Sequence, residues 1–429
     1  MLVLLIIFTN EPGHIIHSQS QPRECALTLR RVIGVQPSRP ANLRQANKDY
    51  VLHLLRANGP CSRADLSRIS GLTAPTVSLV TTNLISSGLV EEMGEGASSG
   101  GRKPSMLRFN AEHGYVATAD IGGTRVRMML ADLNGTPVAE WDTHIGQRQK
   151  TPRGVVNLVQ QGLQEMATAA GAVGRVLHFT AGAPGITNVT SGVVLAAPNL
   201  TGWNEVPLRS MLEQELGIPV GVENDTNLAA VGEHAKGVAR GVENFLFIAM
   251  GTGVGAGIFM RGALHHGMSW SAGEIGYFPV AGLPRQRVQM HETGQLERRI
   301  GGLGIEEQWA DRLREEQRAD QAALAGLRAP QIFDLAETGD RCALHVLNHT
   351  ARLLADCLSA VALLYDAELI VLGGGVGSHP ALCLAAKQCL RENDFALPIL
   401  SSSLLGTQAQ LFGGISLSLS AIEAKMLCS

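Results

Sequence analysis

Asp120, Gly122, Gly123 and Thr124 fall in the run Asp120-Ile121-Gly122-Gly123-Thr124, set between two strand-like runs, Tyr115 to Ile121 and Arg125 to Leu130. Glycines on such a tight turn let backbone N–H groups approach phosphate oxygens, with Asp120 placed to hold a metal-bound water. The same run can equally be a plain Gly-Gly hairpin turn, and taken alone that is its commoner meaning. A second run, Met250 to Gly257 (MGTGVGAG), offers Gly251, Thr252, Gly253 and Gly255 after another apolar stretch. Two such turns on two lobes would clamp a nucleotide between them. A third run, Leu372 to Gly377 (LGGGVG), adds Gly373, Gly374 and Gly375. Between the first two turns lies Val222-Glu223-Asn224-Asp225-Thr226-Asn227-Leu228, a strand end running into a helix start. A carboxylate there can take the proton of a hydroxyl attacking phosphorus, or it can merely cap the helix.

These groups need a frame, and from Tyr115 onward the sequence supplies short β-branched and apolar runs broken by glycine turns and Ala-rich helical stretches. Tyr115 to Ile121, Arg125 to Leu130, Phe245 to Ala249 and Leu369 to Leu372 read as strands; Val155 to Ala169, Asn227 to Lys236 and Cys342 to Tyr365 read as helices. The expected result is an α/β core with helices packed on mixed sheets. Glycine turns recur early and late in it, as a duplicated, two-lobed fold requires.

Residues from about Ala41 to Asn110 have a different texture. Val51, Leu54 and Leu55, then Leu66 and Ile69, then Val77, Val80, Leu84 and Ile85 form three stripes at helical spacing. Ser62 stands three residues before Asp65, a capping pattern; Gly71 breaks the second helix, Thr73 caps the third, and Pro75 falls in its first turn. This spacing predicts helix, four-residue turn, helix, followed by a glycine-rich hairpin wing between 93 and 102 and a strand at Met106 to Phe109. The third helix would enter the major groove with Thr73, Thr76, Ser78, Thr81 and Thr82 as candidate contacts. Arg63, Arg68, Arg102 and Lys103 flank it, placed to pair with phosphates. The alternative is a three-helix packing or dimerisation module that touches no DNA.

Composition narrows the classes without choosing among them. The 429 residues allow two or three domains of about 100 to 200 residues each. With 45% hydrophobic and 17% charged residues the chain is globular, and a net charge of -3 confines any nucleic-acid footprint to a local patch. Seven scattered cysteines form no CxxC pair, which fits a reducing cytoplasm and predicts neither disulfides nor a cysteine zinc site. The apolar opening Met1 to Phe8 is too short to span a bilayer. Residues 1–40, locally basic through Arg23, Arg30, Arg31 and Arg39, are expected to be a poorly ordered extension, and no membrane association is expected.

The segment Asn42 to Asn110 resembles, along its length, the winged-helix part of ROK-family repressors. The three glycine runs, the third on the adenosine side, resemble the nucleotide-binding elements of ROK kinases, which share the actin-like ATPase (ribonuclease H-like) fold. Further matches are Gly182-Ala183-Pro184-Gly185, Pro198 to Trp203 and Ala272 to Gly276. The resemblance implies a winged helix-turn-helix domain at 41–112 and a two-lobed sugar-kinase-like domain at 113–429. It assigns sugar hydroxyls to Asn199, Asn224, Asp225, Glu274 and Glu297, with Tyr277 as a further sugar-site candidate, and the role of general base to Asp225 in an active kinase. Trp203 is a candidate for stacking on a sugar or for core packing.

The chain departs from the family pattern at one place. The family has a histidine after Gly276, which contacts sugar and binds zinc, and then a CxCGxxGCxE stretch; here Tyr277, Val288, Met290 and Gln295 replace the four ligands, and His291 replaces a glycine. None of Val, Met or Gln can stand in for a thiolate in a tetrahedral site, so no zinc is expected. ATP and Mg are needed only if kinase activity is retained. The resemblance thus implies a sugar- or sugar-phosphate-responsive repressor of carbohydrate genes, binding operator DNA as a homodimer or higher oligomer. An ATP-dependent hexose or N-acetylhexosamine kinase carrying a DNA-binding head is the alternative.

Overall fold

Ser62 and Asp65 bond to each other's backbone, the Ser62 hydroxyl accepting the Asp65 N–H at 3.1 Å and the Asp65 carboxylate accepting the Ser62 N–H at 3.2 Å, so a helix starts where the sequence places it. The computed structural model describes residues 40–95, 105–197, 200, 202–284, 287, 289, 292–318, 324, 326–391 and 398–428. Residues 1–39, Arg102, Lys103, Asn199, Val288, Met290 and His291 therefore lie outside the described residues. The chain forms two compact units.

Among the described residues, the first unit comprises 40–95 and 105–115 with Ala131–Thr136 and 420–428. Its elements are α1 (Pro40–Asn58), β1 (Cys61–Ser62), α2 (Arg63–Ser70), α3 (Ala74–Ser86), β2 (Val90–Glu95) and β3 (Ser105–Phe109). Gly71 closes α2 at φ 69°, and the Thr73 side chain accepts the Thr76 N–H to open α3. The connection is three residues, one shorter than the spacing predicts, because Thr73 caps directly ahead of Ala74. Val51, Leu55, Leu66, Val77 and Leu84 bury together, whereas Ile69 is 41% exposed and leaves the expected stripe. β1, β3 and β2 form an antiparallel sheet in that order, giving the helix–turn–helix its hairpin. The two later segments join this unit through named bonds: Leu133 N–H reaches Ala111 O at 3.0 Å, and Arg56 pairs with Glu423 while donating to Leu133 O at 2.9 Å.

The second unit, Val116–Leu130 and Pro137–Leu419, is built on two five-stranded sheets of the same plan. The first holds β4 (Tyr115–Ile121), β5 (Arg125–Asp132), β6 (Pro137–His144), β7 (Val176–Ala183) and β11 (Val220–Asn224), with α4 (Pro152–Ala169), α5 (Leu208–Leu216) and a small sheet of β8 (Ile186–Asn188), β9 (Val193–Ala196) and β10 (Asn204–Val206) beside it. After α6 (Asp225–Lys236), the second holds β12 (Phe245–Met250), β13 (Val254–Met260), β14 (Ala263–Leu264), β15 (Leu369–Gly373) and β16 (Ile399–Ser402). Its helices are α7 (Glu297–Ile300), α8 (Gly302–Glu315), α9 (Ala329–Glu337), α10 (Arg341–Tyr365), α11 (Gly374–Gly377), α12 (Pro380–Leu390) and α13 (Ala409–Cys428). The strand orders β6-β5-β4-β7-β11 and β14-β13-β12-β15-β16 follow one plan, three consecutive strands and then two later ones added beside the first, with β11 parallel to β7, β15 to β12 and β16 to β15.

Trp309, Phe333, Leu354 and Leu358 cover one face of the second sheet, and Phe245, Phe247, Phe259 and Val371 pack with Ala229 and Ala230 of α6 on the other. With few aromatics, close approach is bought by small residues. A Cβ on Gly413 of α13 would lie 1.8 Å from Leu228 O of α6, so the two helices touch backbone to backbone.

Candidate functional site

Whether Asp225 is a cap or a working carboxylate is decided by its neighbour. Asn224 caps α6, its Oδ1 accepting the Asn227 N–H at 3.0 Å while its Nδ2 donates to Gly185 O at 2.9 Å. Asp225 accepts the Thr226 N–H at 2.7 Å and the Thr226 hydroxyl at 3.4 Å, and burial, then the charges of Asp120 and Glu274, push its carboxyl up to about 7. Burial and the neighbouring Glu297 push Glu274 up to about 7 as well. Glu297 is itself raised by burial, partly offset by the Val254 N–H that its Oε2 accepts at 2.9 Å. Tyr277 is pushed up to about 12 by burial and by both glutamates. Asp225 thus feels Asp120 and Glu274, Glu274 feels Glu297, and Tyr277 feels both glutamates, and carboxyls raised in this way beside a phenol offer the mixed donors and acceptors that a polyol needs.

Three further groups join them that the sequence reading missed. Glu223, buried, accepts the Asn224 N–H and the Asn227 amide, each at 2.9 Å, and contacts His266 Nε2 at 2.8 Å. That bond raises the imidazole above its usual value. Arg127 donates to Asp120 Oδ2 at 2.6 and 3.2 Å. Register explains this pair: Gly122 N–H bonds Arg125 O across the hairpin, so two residues further out Asp120 faces Arg127. Burial raises the Asp120 carboxyl and Arg127 opposes it.

The glycine runs divide into working turns and packing positions. Gly122, Gly123 and Thr124 make the β4–β5 turn. Gly251, Thr252 and Gly253 make the β12–β13 turn, with Gly251 O accepting the Gly302 N–H at 2.8 Å and a Gly251 Cβ 3.9 Å from Gly375 N. Gly255 lies in β13 beside Thr226. The third run is not a turn: Gly373 ends β15 against the Phe247 ring, and Gly374 to Gly377 form a helical turn that starts at φ 82° over Met250 O. Trp203 is fully buried with Nε1 donating to Lys150 O at 2.9 Å, so it is core. At a position where the family pattern has a cysteine, Gln295 accepts Val280 N–H at 2.9 Å and donates to Pro284 O at 3.0 Å; its amide braces the loop and does not fit a zinc ligand.

On the winged-helix unit, Ser78, Leu79, Thr82 and Asn83 of α3 are exposed and Thr73 and Thr76 share a 2.9 Å hydroxyl contact. Thr81 is corrected: it is fully buried, its hydroxyl donating to Val77 O and accepting Arg63 Nε at 3.2 Å, so it is withdrawn from the base-contacting set. Arg63 also pairs with Glu92 at 2.8 Å and Arg68 with Asp65. Asn83 is an exposed amide that the sequence reading passed over.

Against this geometry, the ROK family model matches residues 116–419. The chain belongs to the ROK family. A xylose repressor of Caldicellulosiruptor bescii is 35% identical over 242 residues, covering 56% of this chain and 59% of its own length. The chain thus spans about three fifths of the length of three of the xylose repressors it matches, and 84% of that of a fourth, from Bacillus spizizenii. A glucokinase of Halalkalibacterium halodurans is 31% identical over 307 residues, 69% of this chain and 92% of its own. A crystal structure of a ROK family transcriptional regulator, homolog of the E. coli MLC protein, aligns with a TM-score of 0.74 at 25% identity over 90% of this chain and 98% of that one. The repeated sheet plan is that of the two-lobed, actin-like (ribonuclease H-like) fold of ROK regulators and sugar kinases. Among the described residues, no helix is long and apolar enough to cross a membrane.

Proposed function

We propose that this chain is a sugar-responsive transcriptional repressor, acting in the cytoplasm, in which residues 41–112 bind operator DNA and residues 113–429 bind a sugar or sugar phosphate. The observation that carries it is a capped helix–turn–helix with an exposed α3 face in the same chain as a ROK core that keeps Asp225, Glu274 and Glu297 together. A likeness to a ROK transcriptional regulator over 90% of the chain supports the reading. Sugar bound at Asn224, Asp225, Glu274, Tyr277 and Glu297 would draw the two lobes together and change operator affinity. A two-fold dimer would match palindromic half-sites.

One observation favours a second reading, a sugar kinase. A carboxyl titrating near 7 is suited to general-base work, and Asp225 has one. The Gly122–Thr124 and Gly251–Gly253 turns fit phosphate oxygens, and Asp120 would face the metal, already carrying Arg127 beside it. Metal-bound ATP would supply the phosphoryl group; Asp225 would take the hydroxyl proton.

Two measurements separate the readings. Duplexes selected from a random pool are titrated with and without D-xylose, D-glucose or N-acetyl-D-glucosamine, and one sugar is expected to shift affinity tenfold or more (about 1.4 kcal/mol). Failure to enrich any duplex, together with Mg-ATP-dependent turnover that Asp225→Asn abolishes, would establish the kinase instead.

A further inference from the structure

Five described non-glycine residues have positive φ, and three have an ordinary setting. Arg261 opens the two-residue turn between β13 and β14, Asp366 is the C-cap of α10, and Gln317 follows the end of α8; Glu205 is an exposed residue of the short edge strand β10. Trp270, at φ 64°, is neither a hairpin turn nor a cap. A bulky ring in left-handed backbone is a real outlier, and such strain persists where the surrounding structure holds it for a purpose.

The surroundings of Trp270 hold it at both ends. Its ring lies 5.6 Å from that of His266 at a 60° tilt, and His266 is fixed on Glu223, the residue before Asn224 and Asp225. At the far end Gly273 O accepts the Ala256 N–H at 2.7 Å and a Cβ at Gly273 would meet Ala256 O at 1.8 Å, which pins the residue just before Glu274. Ala272 N–H closes the loop onto His266 O, and the Ser269 and Ser271 hydroxyls meet at 2.7 Å. The loop therefore starts on Glu223, two residues before Asp225, and ends at Glu274, with Trp270 between. Unlike Trp203 and Trp309, both fully buried, Trp270 is only half-buried.

We propose that Trp270 is the aromatic platform of the sugar site, its indole lying against the C–H face of a pyranose ring and thereby selecting among sugars. The proposal rests on the sugar-sensor reading above. A pyranose presents axial C–H groups on one face and hydroxyls around its rim; the indole covers the former and the carboxyl cluster takes the latter. His266, bonded to Glu223 and in ring contact with the indole, acts as a positioning residue for it.

The test is calorimetric titration of the full chain with D-glucose, D-xylose and N-acetyl-D-glucosamine, for wild type, Trp270→Gly and Trp270→Phe, alongside the melting temperature of each ligand-free protein. Glycine accepts left-handed backbone without strain and removes the ring; phenylalanine keeps a ring. Expected are about 3- to 10-fold weaker binding of the tightest sugar in Trp270→Gly, near-wild-type binding in Trp270→Phe, and a Trp270→Gly melting temperature no lower than wild type. Unchanged affinity in Trp270→Gly overturns the proposal, as does weakened affinity accompanied by a lowered melting temperature, which would make Trp270 a packing residue. Wild type that binds none of the three sugars brings down the sensor reading itself, and this proposal with it.

Discussion

Aspartate does opposite things in the two units. On the winged helix, Asp65 is held below its usual range by the Ser62 hydroxyl and Ser62 N–H, with Arg68 adding to the effect. In the core, Asp225 and Glu274 are pushed up to about 7 by burial and by other acids. Asp65 contributes stability that is present above its ordinary value of 3.8 and lost as pH falls through the lower folded value. Asp225 has the reverse sign: its contribution is full below 3.8 and is lost as pH rises through about 7. The first carboxylate strengthens its own helix. The second is held at a cost to the fold, which is the mark of a group kept for a ligand.

The largest expected effect breaks or confirms that contrast directly. Asp225→Asn keeps the shape and an acceptor for the Thr226 N–H but cannot ionise. At pH 8 the variant core is expected to be more stable than wild type by roughly 2–4 kcal/mol, a gap that closes by pH 4. Melting curves across pH 4 to 8 check it, and a variant less stable at pH 8 would mean that Asp225 is a structural carboxylate like Asp65. A smaller effect sharpens the other side. Ser62→Ala removes the reciprocal cap and is expected to cost about 1 kcal/mol, read as faster hydrogen exchange in α2 with the core unchanged.

What could be read from sequence follows the range of the interaction. The caps at Ser62, Gly71 and Thr73 involve partners within about four residues, and the strands beside the glycine turns are set by short runs; both were legible. Asp225 against Asn224 as the cap is a choice between adjacent residues, which spacing cannot make. Trp203 depends on Lys150 and His266 on Glu223, partners tens of residues away, so neither could be placed. Arg127 opposite Asp120 was within reach, because a hairpin closed at Gly122 and Arg125 fixes the pair two residues out. Thr81 was legible too: it stands four residues after Val77 and three before Leu84, on the buried stripe, but its hydroxyl suggested the polar face.

The smallest stability effect tests whether the winged helix spends its charge on itself or on a partner. Arg68 is 76% exposed and pairs with Asp65 three residues earlier in the same helix. Such exposed pairs contribute little, so Arg68→Ala is expected to change stability by less than about 0.5 kcal/mol. If Arg68 instead neutralises a DNA phosphate when the unit docks, the same variant lowers the slope of log affinity against log salt by about 0.9. Arg63 is the internal control, since its guanidinium is tied to Glu92 and its Nε to the buried Thr81. Arg63→Ala is therefore expected to lower the melting temperature of the unit more than Arg68→Ala while changing the salt slope less. A salt slope that moves with Arg63 and not with Arg68 would reverse the assignment and turn the phosphate-facing side of α2 around.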